Sequence, residues 1–287
     1  MPRVLSQSQV ATFECQGFAS PIRVMSVERA QYYRARLEAF EANYPDARIK
    51  LDQKAHMICP WVDEMIHEPG ILDAAEDLIG PDILCWGTSL RAKAADGKVF
   101  AGWHQDTAYA EVKPIVVIVA LALSPSRSIN GCISAIPRSH RGPLLPHKEA
   151  FGTDSLLSRE QYIDASIDRS AAVDFELDPG EIALFNNAII HSSGVNRGTD
   201  RRILFLLEMI PTRAYQHFPR ESAVLVRGRD ANGHFDADPR PRLEMGAAEL
   251  AAWERAVEIQ ASVLFRGAAR PPRALKGMTS GKPPTGG

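Results

Sequence analysis

No single charge dominates this chain of 287 residues: 33 Lys and Arg stand against 35 Asp and Glu, a net charge of −2. That near-balance removes any electrostatic drive toward nucleic acid or an anionic membrane surface, so neither is expected as a partner. No apolar run reaches the ~18 residues a membrane-spanning helix needs. No basic segment followed by an apolar one opens the sequence, so no secretion signal is expected. Cysteine is scarce. Cys15, Cys59, Cys85 and Cys132 are scattered and lack C-x-x-C spacing. They are expected as reduced thiols of a cytoplasmic protein, not as a disulfide frame or zinc site. There is no internal repeat. What is present, 45% hydrophobic and 24% charged residues, is ordinary for a globular protein long enough to bury a full core.

The first 82 residues read as a helical layer. Ser6 can cap a short helix over 6–16, which Gly17 ends. Ser26 can cap a second over 26–43, with Glu28 in its first turn and Tyr33, Leu37 and Phe40 at helical spacing. Shorter helical pieces follow over 60–67 and 69–79. From 83 to 226 the pattern is β. Residues 83–93 and 132–136 read as strands. The apolar, β-branched run 115–123 predicts a strand buried on both faces. Segments 173–177, 181–185, 188–192 and 203–210 add short strands, with a turn at Asn130-Gly131. Many short strands between turns predict a barrel or sandwich. The polar stretch 137–170 is a long insertion of the kind that usually carries function. Residues 246–266 return to helix, and a Pro- and Gly-containing tail is expected from 267.

The stretch AGWHQDT over 101–107 places His104 and Asp106 two residues apart. In an extended strand both would point one way and Gln105 the other. Imidazole and carboxylate are two members of the 2-His-1-carboxylate set that holds non-heme Fe(II) with open positions. His191 ends a strand-like run and supplies a second imidazole, and Arg201-Arg202 follow on the next strand. Such an arrangement suits a dioxygenase using 2-oxoglutarate. The metal takes two oxygens of that cosubstrate, and a deep guanidinium pairs with its far carboxylate.

HQD at 104–106, NGC at 130–132, the P-x-S-H-x-G segment Pro137 to Gly142 and the H-x-S-G-x-N segment His191 to Asn196 together resemble the phytanoyl-CoA dioxygenase family. The resemblance covers roughly residues 5–230. It implies a mainly β fold with flanking helices, a double-stranded β-helix (a cupin-like jelly roll), in one dioxygenase domain over 1–266. It implies Fe(II) on His104, Asp106 and His191, with 2-oxoglutarate and O2 as cosubstrates and ascorbate as an external reductant. Arg202, eleven positions after the distal histidine, would be the anchor, leaving Arg201 on the other face. Ser193, Lys93 and Gln105 would help hold the cosubstrate. Related halogenases carry a small residue at the carboxylate position. Asp106 therefore favours hydroxylation of an unactivated C–H bond of a small molecule. Ala120 stands where the family often has tryptophan and is expected to enlarge the pocket.

Other readings remain open. Lys93 also fits a solvated strand position, and Trp103 fits core packing as well as substrate stacking. His140 and His147 fit the insertion and its turn better than the metal. His67, His217 and His234 carry no spacing signal. Lys54, His56, Arg213 and Arg227 are expected at an entrance that would favour an anionic substrate. The insertion 144–170 and the N-terminal helices are expected as a lid. A cupin-like metal protein without turnover, or an isomerase or hydrolase of the same fold without 2-oxoglutarate, would not need a deep cation facing the metal. Arg202 separates these from the oxygenase.

Overall fold

The computed structural model describes residues 3–108, 112–149, 154–157, 159–217 and 219–266; the expected tail from 267 lies outside them. The N-terminal layer holds α1 (Gln7–Gln16), α2 (Val27–Asn43), α3 (Pro60–Ile66) and α4 (Pro69–Ile79). Its caps are those the sequence predicts. Ser6 Oγ accepts the Gln9 amide, and the Gln9 side chain accepts the Ser6 amide in return. Ser26 Oγ accepts the Arg29 amide. The layer is not purely helical, however. β1 (Phe18–Arg23) lies between α1 and α2 and pairs with β9 (Glu181–Asn186) at the sheet edge. Pro21 in its middle donates no hydrogen bond, which an edge strand tolerates.

After α4 come β2 (Ile83–Lys93), β3 (Ala101–His104), β4 (Val117–Ala122), β5 (Ile133–Ala135), β6 (His147–Glu149), β7 (Gln161–Ile163) and β8 (Val173–Phe175). Beyond β9 run β10 (His191–Ser193), β11 (Arg202–Pro211), β12 (Ser222–Arg227) and β13 (Asp236–Ala237), then α5 (Ala247–Leu264). The large sheet has the order β1-β9-β4-β11-β2-β12-β13 and the small sheet β3-β10-β5-β8, while β6 and β7 form a separate hairpin in the insertion. All pairings are antiparallel except β12 with β13. This is the jelly-roll architecture, with helices packed on the outer face of the large sheet.

The apolar run in β4 is explained by its two neighbours. Val117, Val119 and Leu121 join the cluster shared with the helices, and Ile118, Ala120 and Ala122 join the cluster between the sheets. β11 alternates in the same way. Ile203, Phe205, Leu207 and Met209 enter the helix-side core, while Arg202, Leu204, Leu206 and Glu208 line the cavity between the sheets. Phe205 is fully buried and meets Trp61 of α3 edge-on, with ring centroids 5.7 Å apart. Phe205→Ala should therefore lower unfolding free energy by about 3–5 kcal/mol. Urea denaturation monitored by circular dichroism measures this; a loss under about 1 kcal/mol would mean the helical layer does not stabilise the sheet.

Candidate metal centre and its cavity

His104 is the last residue of β3, so the extended alternation expected through Asp106 stops there. The chain turns into a short 3-10 segment, Asp106–Ala108, and the Asp106 amide donates to the Asn187 carbonyl at 3.0 Å. This turn brings the carboxylate back beside His104. Antiparallel pairing of β3 with β10 sets His191 directly across from His104. One ligand atom from each of His104, Asp106 and His191 falls within 4.8 Å of the others. His104 Nε2 lies 3.3 Å from Asp106 Oδ1, and His191 Nε2 lies 3.8 Å from Asp106 Oδ2.

Both imidazoles are fixed from behind. His104 Nδ1 donates to the Gly102 carbonyl at 2.8 Å, and His191 Nδ1 donates to the Ile189 carbonyl at 3.0 Å. With the proton on Nδ1, each Nε2 lone pair faces the common point. Burial, then the neighbouring His104, pushes His191 down to about 4, so it is neutral and ready to ligate at neutral pH. Burial alone would raise the Asp106 carboxyl; the imidazoles of His191 and His104 outweigh it and hold it at about 2. Two lone pairs and a carboxylate converging on one point repel each other unless a cation sits among them. The donor set suits a divalent transition metal with open positions.

The flanking motifs keep this geometry in place. Ser139 Oγ accepts the Ile190 amide at 2.8 Å and donates to the Ile136 carbonyl, clamping the residue before His191. Gly131 adopts φ +76°, and a Cβ there would lie 2.2 Å from the Gly194 carbonyl oxygen, so the NGC turn packs against the loop after β10 only as glycine. Asn196 Nδ2 donates to the carbonyls of Lys93 and Asp200, latching that loop to β2.

The ligands open onto a cavity of about 160 Å³. Arg202 lies at one end of its large-sheet wall and is 1% exposed. Its Nη1 donates to the Arg91 carbonyl at 3.0 Å, its Nε has no partner, and no carboxylate among the described residues pairs with it. Burial pushes the guanidinium down to about 9, which still leaves it charged at neutral pH. Arg201 points the other way and pairs with Glu41 of α2 at 2.7 Å. Ser193 lines the same cavity. Lys93 Nζ donates to Ser193 Oγ at 2.8 Å and to the Gly194 carbonyl, so it is a buried group beside the cavity wall and not a solvated strand residue. Burial, with Arg202 nearby, pushes it down to about 6.

Several expected site residues are placed elsewhere. Gln105 is not among the cavity residues; its amide donates to the Ala188 carbonyl at 3.0 Å and accepts the Leu145 amide at 2.9 Å. It ties the insertion to the ligand loop. His147 Nε2 accepts the Gln105 amide, serving the same junction. Lys54 is fully buried at the cavity, but its Nζ is engaged by Trp86, Ser222 and Asp238 oxygens. His56 is 1% exposed and also bound to Asp238. Arg227 pairs with Asp73 and Glu76 of α4, and Arg213 is exposed with Nη1 on the Ile79 carbonyl. None of the four forms a basic entrance, and that argument for an anionic substrate falls with it. Ala120 is fully buried in the inter-sheet cluster that also holds the cavity residues Ile118, Ile133 and Leu204, and does not itself line the cavity. Trp103 is partly exposed, with the Arg169 guanidinium 5.8 Å over its ring.

Several cavity residues were not singled out in the sequence. Leu156, Leu157 and Arg159 come from the expected lid, but Gln260 and Leu264 come from α5, and Arg91 and Glu208 come from β2 and β11. Arg159 joins the two sides, pairing with Glu149 and donating to the Leu264 carbonyl. For Glu208 a signal existed: an acidic residue within an apolar strand, an even number of positions from Arg202.

A family model described as phytanoyl-CoA dioxygenase matches residues 13–204, more than half of the chain. The chain belongs to the phytanoyl-CoA dioxygenase family. A probable phytanoyl-CoA dioxygenase of Caenorhabditis elegans is 32% identical over 149 residues, 48% of this chain and 47% of that protein. The chain thus spans about half the length of the curated relatives it matches. Among solved structures, a non-heme monooxygenase, ThoJ, in its apo form superposes with a TM-score of 0.81 at 29% identity, covering 90% of this chain and 98% of that one. The ThoJ–Ni complex gives 0.76 at 26% identity, covering 90% and 99%. Within this family frame, His104, Asp106 and His191 are the candidate metal ligands. Asp106→Ala should weaken Fe(II) or Co(II) binding by more than about a hundredfold, exceeding the loss typical of merely supporting groups. Anaerobic calorimetry reads this; unchanged affinity would place the metal elsewhere.

Proposed function

We propose that the chain is an Fe(II)- and 2-oxoglutarate-dependent dioxygenase that hydroxylates an unactivated C–H bond of a small molecule. The observation that carries this reading is Arg202, a buried guanidinium without a carboxylate partner, on the wall of the cavity that the three ligands share. A buried charge left unpaired is costly, and a dianionic cosubstrate whose far carboxylate takes a bidentate guanidinium removes that cost. A binding protein without turnover, or a metal enzyme without 2-oxoglutarate, has no such need.

Bound iron supplies O2 activation, with 2-oxoglutarate giving up two electrons and leaving as succinate and CO2. The protein's own groups hold and orient. His104, Asp106 and His191 would take one face of the metal and leave the other open. Arg202 would set the direction of the cosubstrate, with Ser193 and Lys93 beside its path. Leu204, Leu206, Ile118 and Ile133 give the cavity apolar walls that keep water from the reacting centre. Leu156 and Leu157 of the insertion, with Leu264 of α5, would close it from outside. Asp106 fills the position a halide would need, which favours hydroxylation over halogenation. The four free cysteines support a reducing, cytoplasmic setting. Among the described residues, no helix is long and apolar enough to cross a membrane.

Succinate release from 2-oxoglutarate in the presence of Fe(II), O2 and ascorbate tests the reading, with and without candidate substrates. No release under any condition, together with no 2-oxoglutarate binding to the metal-loaded protein, would overturn it. Arg202→Ala should raise the 2-oxoglutarate concentration for half-maximal rate by about thirtyfold or more, the effect of removing one partner of a buried charge pair. Iron affinity should stay unchanged. An unaltered 2-oxoglutarate requirement would show that another group is the anchor.

A further inference from the structure

Four inward-facing pairs stand along the β11–β2 ladder: Arg202 with Lys93, Leu204 with Arg91, Leu206 with Ser89, and Glu208 with Gly87. If the Arg202 end serves the cosubstrate, the Glu208 end, six residues away or about 20 Å along the strand, is left for the prime substrate. The backbone of Glu208 is paired with β2 and β4, while its side chain lines the cavity and makes no hydrogen bond or ion pair among the described residues. The other charged groups near it are engaged or screened differently. Lys54 is held by three oxygens, Glu221 accepts from Trp86 Nε1 at 2.8 Å, and Asp106 belongs to the metal set. Arg91 lies among the carboxylates of Asp52, Asp106 and Glu208 without reaching salt-bridge distance to any of them.

The backbone makes room for this carboxylate. A Cβ at Gly87 would lie 2.1 Å from Glu208 Oε2 and 3.0 Å from Cδ. Directly beyond, the register slips by one residue, so that Met209 opposes Cys85 and Trp86 is extra. Such a bulge re-aims neighbouring side chains beside a site, and Trp86 and Gly87 both line the cavity. The carboxylate thus occupies space that any other residue at 87 would contest.

We propose that Glu208 is a substrate-binding residue that receives a cationic nitrogen of the prime substrate, a protonated amine for choice. The inference rests on the oxygenase reading, because that reading assigns Arg202 and its end of the cavity to 2-oxoglutarate. It replaces the anionic substrate expected from Lys54, His56, Arg213 and Arg227. Burial, then the nearby Asp106, raises the Glu208 carboxyl to about 7, so a ligand that brings positive charge and N–H donors both satisfies the group and favours its ionised form.

The experiment uses full-length protein loaded with Ni(II) and 2-oxoglutarate, and titrates n-butylammonium, 1-butanol and butanoate by calorimetry and ligand-observed NMR. n-Butylammonium should bind at least about tenfold more tightly than 1-butanol, as expected of a charge-assisted hydrogen bond. Glu208→Gln, nearly the same shape, should erase that preference. Gly87→Ala, which displaces the carboxylate without removing it, should weaken ammonium binding in the same direction. Binding of 2-oxoglutarate to both variants reports their folding independently. The proposal is overturned if the ammonium does not bind, if the alcohol or butanoate binds as well, or if the preference survives Glu208→Gln. Failure of 2-oxoglutarate to bind the wild-type protein would instead strike the oxygenase reading, and the amine titration can still be read with metal alone.

Discussion

Antiparallel pairing of two very short strands, β3 and β10, is the constraint on which the site depends. It sets His191 opposite His104 with ring centroids 4.1 Å apart. Neither strand is long enough to hold that register unaided. The register is held from outside: Ser139 clamps the residue before His191, Asn196 fastens the loop after it, and β5 pairs along its far side. The third ligand adds a turn whose amide is fixed on Asn187. Loss of any of these restraints would cost little stability by itself, about the worth of one hydrogen bond. It would cost much in placement, because a metal centre tolerates displacements well below an ångström.

The large sheet supplies what the small one lacks. Its central strands β9, β4, β11 and β2 are buried on both faces, by helices outside and by the small sheet inside, and this two-sided burial gives a rigid wall for groups that must not move. Cations in that wall would be expensive without a reason. Lys54 has its reason in Asp238, whose carboxyl is held low against burial by Lys54 and His56. Lys93 is bound by Ser193 and the Gly194 carbonyl and is lowered to about 6, so it is largely neutral at neutral pH. Arg202 has only one carbonyl oxygen, and this difference singles it out among buried cations.

Much of this was readable from the chain because local rules suffice for it. Ser6 and Ser26 cap where capping chemistry predicts, and Val117 to Ala122 form the doubly buried strand. The candidate ligands His104, Asp106 and His191 stand out in the sequence through short, ordered motifs, and the fold brings the three side chains together. What was not readable depends on distant partners. Lys54 and His56 look like loop cations until Asp238, more than 180 residues away, is placed beside them. β1 is hidden by Ser20, Pro21 and Arg23, which weaken strand propensity at an edge. β12 carries too short a pattern to stand out. Gln105 matches the family pattern, yet its side chain is spent on Ala188 and Leu145, which only the folded chain brings near.

β11 has a consequence for how such a cavity can change over time. Its odd-numbered residues build the helix-side core, and its even-numbered residues from 202 to 208 line the cavity. Because the strand is stiff, the spacing between Arg202 and Glu208 acts as a fixed gauge. A change of side chain at 202 or 208 alters the cavity lining and leaves the helix-side face of the strand untouched. On the proposed reading, one strand would hold the cosubstrate at one end and the prime substrate at the other, so the substrate end could change without disturbing the core that folds the domain.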